Sequence, residues 1–234
     1  MKSIIFFTLI FILGSCNIDS IPGSSNMTKK KYALKNFNSI DVSSSFDLEL
    51  IQSKDYKIVV QCNENIKEYI DVYLEEECLY VGLKGNNLFS NIDLKVTIHA
   101  PDINNIEASG ASSIDIEKYK VKNLEFHLSG ASDLKADLNI SEHLSIEASG
   151  ASDIKLKGKA KNVDLIFSGA SEFSGKKLVI SDELTLDSSG ASSVTVTANG
   201  TLDIESSGAS SVTYYGKGKV IRKDISGAGS IQHN

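Results

Sequence analysis

The tetrapeptide Ser-Gly-Ala-Ser occurs six times at a near-constant interval, and no other feature limits the possible folds of this chain so strongly. Its copies begin at Ser109, Ser129, Ser149, Ser168, Ser189 and Ser207, and an altered copy, Ser226-Gly227-Ala228-Gly229, follows. The steps between them are 20, 20, 19, 21, 18 and 19 residues. A motif kept at such a period marks a solenoid. A unit of this size cannot bury a face alone and has to stack on its neighbours.

Around each copy apolar and polar residues alternate, as in Leu124-Glu125-Phe126-His127-Leu128. Period-2 alternation predicts strands with one buried face, and no helical period competes with it here. Three residues before the first Ser stand Ile106, Phe126, Ile146, Leu165, Leu186 and Ile204. Five residues after it stand Ile114, Leu134, Ile154, Phe173, Val194, Val212 and Ile231. The expected fold is therefore all-β: a single β-solenoid of the right-handed β-helix type, with coils of about 19–20 residues.

Stacking at ~4.8 Å places like residues in columns. The glycines Gly110, Gly130, Gly150, Gly169, Gly190, Gly208 and Gly227 are expected at a structural corner, where φ is positive or backbones approach closely. The second serines, Ser112, Ser132, Ser152, Ser171, Ser192 and Ser210, fall on the apolar face and are expected to be at least partly buried. Their hydroxyls could pass hydrogen bonds from coil to coil. A nucleophilic reading of the motif fits poorly, since an enzyme needs one such serine and the chain has six full copies.

The chain begins with Lys2 and an apolar run from Ile4 to Leu13, too short for a stable span, ending in Leu13-Gly14-Ser15-Cys16. An apolar residue and two small ones before Cys resemble a bacterial lipobox. The resemblance implies a signal peptide over residues 1–15 and lipid on Cys16, with the membrane as a partner through that lipid. Residues 16–31, with Pro22, Gly23 and Lys29-Lys30-Lys31, read as a flexible tether. Asp19-Ser20-Ile21 resembles an O-glycosylation sequon of Bacteroidetes.

Residues 32–234 read as one solenoid domain, with 32–105 as degenerate coils and a cap, and 106–234 as the regular repeats. In the first part Ile40-Asp41-Val42, Phe46 to Leu50, Ile58-Val59-Val60, Leu79-Tyr80-Val81 and Leu94 to Ile98 are strand candidates, and Glu64 to Tyr69 suits one helical turn. Cys62 and Cys78 remain after the lipobox cysteine, and an exported chain permits a disulfide between them. Two unbonded thiols on neighbouring strands are the alternative.

The lipobox, the strand-rich first part with Leu94-Lys95-Val96-Thr97-Ile98-His99-Ala100-Pro101, and the Ser-Gly-Ala-Ser train resemble one family over about residues 37–220. This is the auto-transporter adhesin "head GIN" domain family of Bacteroidetes. The resemblance implies a β-helix and a cell-envelope location, expected here as an outer membrane lipoprotein facing either the periplasm or the surface. It brings no functional residues with it. Related proteins have been labelled lipid-binding or pectinase-like.

Two polar columns are the places to look for chemistry. Glu107, His127, Glu147, Ile166, Asp187, Glu205 and Asp224 stand two residues before the first Ser. Ser113, Asp133, Asp153, Glu172, Ser193, Ser211 and Ser230 follow the second. Stacked carboxylates repel unless lysine or a hard cation intervenes. The favoured reading is a solvated surface partly matched by Lys135, Lys155 and Lys157. The four histidines share no metal-ligand spacing, and no nucleotide or zinc motif is present, so no cofactor is expected. Net charge is −6 and Arg222 is the sole arginine, which argues against nucleic acid.

The expectation is thus a lipid-anchored envelope solenoid that works as an adhesin or structural surface without catalysis, with a glycan or an envelope or host component as partner. The alternatives are a pectinase-like β-helix hydrolase or lyase, and a protein that binds lipid or another envelope component. Tyr214-Tyr215 near the end could offer a stacking platform, though one of them is expected to cover the last coils.

Overall fold

A computed structural model describes residues 20–234. Cys16, the signal segment 1–15 and the start of the expected tether lie outside the described residues. The strands are β1 (Ile21–Pro22), β2 (Met27–Tyr32), β3 (Ser39–Val42), β4 (Asp47–Gln52), β5 (Lys57–Asn63), β6 (Ile70–Glu75), β7 (Cys78–Leu83), β8 (Phe89–Ser90), β9 (Leu94–Ala100) and β10 (Asn105–Ala108). They continue with β11 (Ser113–Gly130), β12 (Asp133–Gly150), β13 (Asp153–Gly169), β14 (Glu172–Gly190), β15 (Ser193–Ala198), β16 (Thr201–Gly208), β17 (Ser211–Tyr215), β18 (Lys219–Gly227) and β19 (Ser230–His233).

From β10 onward each coil lies parallel on the one before, in the register that the repeat predicts. Ile106 faces Phe126, Phe126 faces Ile146, Ile146 faces Leu165, and Ser-Gly lies over Ser-Gly. Shifts between Ile116 and Tyr119 and between Val121 and Asn123 mark places where neighbouring coils differ in length by one residue. The inward columns are closed to solvent: Ile106, Phe126, Ile146 and Ile204 are 0% exposed. Each such side chain contributes roughly 1.5–3 kcal/mol by leaving water. One ladder of apolar residues thus runs the length of the solenoid and holds it together.

The first part combines coil and cap. β3 and β4 form a true coil, parallel to β10 and β11, and β7 and β9 lie parallel beneath them. Ser44 and Ser45, at φ 63° and 64°, turn the corner that Gly-Ala turns elsewhere. Below this layer the pairing becomes antiparallel. β6 pairs β7 through a tight turn at Glu76 and Glu77, β5 pairs β9, and β2 pairs β5. A 3-10 helix, Glu64–Tyr69, links β5 to β6 and buries Ile66. Antiparallel closure and the charged strand Lys29-Lys30-Lys31 protect this end from edge-to-edge growth.

One expectation needs correction, and the choice left open for the cysteines is resolved. Residues 20–31 are built into the fold and are no free tether. β1 pairs β8, β2 pairs β5, and Asn63 and Asn65 donate side-chain hydrogen bonds to the carbonyls of Ser24 and Pro22 at 2.8 Å. The polar stretch satisfies its backbone against two asparagines that stand far away in sequence. Cys62 and Cys78 are unbonded. Cys62 lies on β5 between β2 and β9, whereas Cys78 lies on β7 between β3 and β6, so the two strands are not neighbours.

Candidate functional site

The Ser-Gly-Ala-Ser corner sets the geometry of both polar faces. Its seven glycines have φ between +85° and +110°. From the second copy on, the following alanine donates its backbone N–H to the preceding coil's glycine carbonyl, as Ala131 does to Gly110 at 2.8 Å and Ala151 to Gly130 at 2.9 Å. That oxygen fills the place where a Cβ would stand on Gly130, Gly150, Gly169, Gly190, Gly208 and Gly227. Gly110 alone has room, over the amides of Ser44 and Ser45 at 3.8 Å. The second serines are all buried. Several of their hydroxyls bond within the coil rather than along the stack: Ser112 donates to the Ser109 carbonyl at 3.0 Å and Ser132 to that of Ser129 at 3.1 Å. The step from coil to coil is carried mainly by backbone, with a side-chain link at Ser188 and Ser210, 2.8 Å apart.

Before this corner lies the acidic face. Strand register extends its column in both directions, giving Tyr73, Tyr80, Asp41, Glu107, His127, Glu147, Ile166, Asp187, Glu205 and Asp224 in order. Tyr73 and Tyr80 are stacked, 4.8 Å between centroids and 8° apart in plane. Beside Asp41, Glu107, His127, Glu147 and the exposed Ile166 runs a shallow groove of about 290 Å³. His127 lies between two carboxylates, its Nε2 3.1 Å from Glu125 and its Nδ1 3.3 Å from Glu147. His143 meets Asp164 at 3.1 Å, and Arg222 bridges Asp203 and Glu205. Both ring nitrogens of His127 therefore face carboxylate oxygens, and a substrate would have to displace one of them. Asp41 and Glu107 lack such a cation. Burial, and then the charge of Glu107, push the Asp41 carboxyl above its ordinary value.

After the corner lies a face of mixed charge. Asp47, Ser113, Asp133, Asp153 and Glu172 form one column, and Glu49, Asp115, Lys135 and Lys155 the next. The lysines named from the sequence do meet acids here: Lys135 meets Asp115 at 3.4 Å, Lys157 meets Asp137 at 3.3 Å, and Lys155 meets Asp153. Lys95 lies 2.8 Å from Glu49 and, by that hydrogen bond, holds its carboxyl below the ordinary range. Among the described residues no group of three or more His, Cys, Asp or Glu is placed to hold a metal ion.

Tyr214 packs on the core and stacks on His233 at 4.4 Å, while Tyr215 carries the ammonium of Lys176 on its ring at 4.1 Å. Sequence reasoning missed the Tyr73–Tyr80 pair, because the hairpin that aligns it is antiparallel and breaks the repeat. It also missed a lysine-lined corner past the second face. The signal there was the 21-residue step, which marks a coil with extra residues.

The fold has solved counterparts. A "putative adhesin" from Bacteroides fragilis is 24% identical, with a TM-score of 0.81, over 92% of this chain and 100% of that one. A "putative lipid binding protein" from Parabacteroides distasonis is 20% identical with a TM-score of 0.68, covering 92% and 100%. A "putative adhesin" from Parabacteroides merdae is 18% identical with a TM-score of 0.58, covering 92% and 99%. No curated protein matches the chain. The model of the family described as "Putative auto-transporter adhesin, head GIN domain" matches residues 36–218, and the chain belongs to that family.

Proposed function

We propose that the protein is an adhesive or structural surface of the cell envelope, anchored by lipid on Cys16, that binds a glycan or surface component without turning it over. Support comes from the repetition of its outward columns. Glu107, Glu147, Asp187 and Glu205 recur in one column, interrupted by His127 and Ile166, which suits weak contacts repeated along a face. An active site needs local asymmetry, with one acid, one base and one cleft. On the acidic face the one imidazole of the groove is engaged by Glu125 and Glu147. The family name supports the adhesive reading, and one solved counterpart is described as lipid-binding.

The test of function is adherence of the purified protein to cells and to an array of immobilised glycans. Binding shared by several related glycans supports the reading, and binding to none of them overturns it. The anchor is tested by metabolic labelling with a palmitate analogue. Label on the wild type that is lost in Cys16→Ala is expected, and equal labelling of both would remove the anchor from the account.

A further inference from the structure

The corner beyond the second face carries a trough parallel to the solenoid axis. One hollow of about 280 Å³ is bounded by Lys118, Lys135, Asp137 and Lys157. The next, about 510 Å³, shares Lys135, Ala136 and Lys157 with it and adds Lys155, Lys176 and Lys177. A third, about 840 Å³, begins at Asp137 and opens over Leu138, Gly158 and Ala160. The first two hollows adjoin along Lys135, Ala136 and Lys157 and form the trough, and the third meets the first at Asp137.

Three features set this corner apart from the rest of the repeat. First, β14 bulges. Lys155 faces Ser174 and Lys157 faces Lys177, so Leu156 alone stands opposite Gly175 and Lys176. Consecutive residues Val196 and Thr197 of β15 then face Gly175 and Val179 of β14. A bulge re-aims side chains, and this one turns Lys176 over Tyr215 while Thr197 Oγ1 donates to the Lys176 carbonyl at 2.8 Å. Second, Gly158, at φ +111°, stands between Leu138 and Leu178 in the stack, and a Cβ there would run into the Leu138 carbonyl, so the coils approach closely at this corner. Third, like charges are stacked: Lys135 faces Lys155 and Lys157 faces Lys177. Directly opposed like charges are unfavourable in a sheet.

Acids offset part of this charge. Asp115, Asp153 and Asp137 pair with Lys135, Lys155 and Lys157, all of them exposed pairs of little strength that a ligand carboxylate can replace. Among the described residues, Lys118, Lys159 and Lys177 lie within 4.0 Å of no carboxylate. The trough is thus a surplus of ammonium groups on a protein whose net charge is −6.

We infer that this trough binds a linear polysaccharide with an acidic group on each sugar. The inference rests on the reading of the protein as a binding surface. Lysines on neighbouring coils lie ~4.8 Å apart, close to the length of one sugar in an extended chain, so acidic groups and ammonium groups run in step. Ala136, Leu138 and Leu156 belong to the core, at 1%, 1% and 3% exposure, so apolar contact with a sugar ring falls to the exposed Val179. A polymer across several coils gains from many weak contacts at once.

The experiment measures binding of the full chain in detergent to immobilised polygalacturonate and to neutral dextran. The paired variant Lys157→Ala with Lys177→Ala is run beside a charge-matched pair outside the trough, Lys54→Ala with Lys84→Ala, and melting curves confirm that both fold. Polygalacturonate should bind and dextran should not. The trough variant should bind about tenfold more weakly, the pair at Lys54 and Lys84 should bind as wild type, and added salt should release the polymer. Equal binding by the trough variant overturns the site. So does equal or tighter binding to phosphatidylglycerol vesicles or duplex DNA, which would mean undirected attraction of polyanions. Failure to bind polygalacturonate while the protein still adheres to cells overturns this site alone, whereas failure of both overturns the adhesive reading as well.

Discussion

Ala151 donates its backbone N–H to the carbonyl oxygen of Gly130 at 2.9 Å, and that same oxygen occupies the space in which a side chain on Gly150 would have to stand. One atom thus explains the glycine of the motif. Glycine is required because the bond brings successive backbones too close for a side chain, while the donor is a backbone N–H that any residue but proline supplies.

Gly150→Val should be costly for two reasons that can be separated. The position has φ +104°, and its Cβ would meet the Gly130 backbone. Gly85 has φ +74° but meets nothing nearer than the Asn87 side chain at 3.6 Å. Gly85→Ala should therefore cost only the conformational part, ~1 kcal/mol. Gly150→Val should cost about 3 kcal/mol or more. Urea denaturation measures both, and equal costs would remove the close approach from the explanation.

Tyr119 is fully buried, and its hydroxyl accepts the backbone N–H of Ile103 at 2.8 Å. Tyr119→Phe keeps the ring and leaves that N–H without a partner inside the core. The expected loss is ~1–3 kcal/mol. Tyr73→Phe, at an exposed ring, should stay within ~0.5 kcal/mol of wild type.

Asp41 predicts a pH dependence. Burial and the charge of Glu107 raise its carboxyl above the ordinary 3.8, so the folded chain holds this proton more tightly than the unfolded chain. Its favourable contribution is present below 3.8 and is lost as pH rises through the raised folded value. Asp41→Asn cannot ionise. The variant should melt higher than wild type at neutral pH, and the difference should shrink as the solution is acidified below 3.8. A variant that melts lower at neutral pH would contradict this origin of the shift.

Much of the fold was legible because a stacked coil writes its contacts into the sequence as a period. Ile106, Phe126 and Ile146 could be aligned by counting, and strand pairing follows the count. Counting fails where contacts are made across the period. Asn63 and Asn65 fasten Ser24 and Pro22 from about 40 residues away, so the segment read as a tether carries no local sign of its partners. Tyr73 joins the acidic column only through a hairpin that reverses the chain. The outward columns could be listed residue by residue. The pairing of His127 with both Glu125 and Glu147 depends on side-chain direction, which the repeat leaves open.

Binding without turnover separates an adhesive solenoid from a β-helix hydrolase or lyase. The direct measurement incubates purified protein with pectin, other uronic-acid polymers and common plant and host glycans, and follows reducing ends and unsaturated products. Glu147→Gln, in the groove beside His127, serves as the comparison. Polymers recovered at full length, with product at background for both proteins, are the predicted result. Product well above background that falls in Glu147→Gln would contradict it and place a glycan-cleaving site on the acidic face.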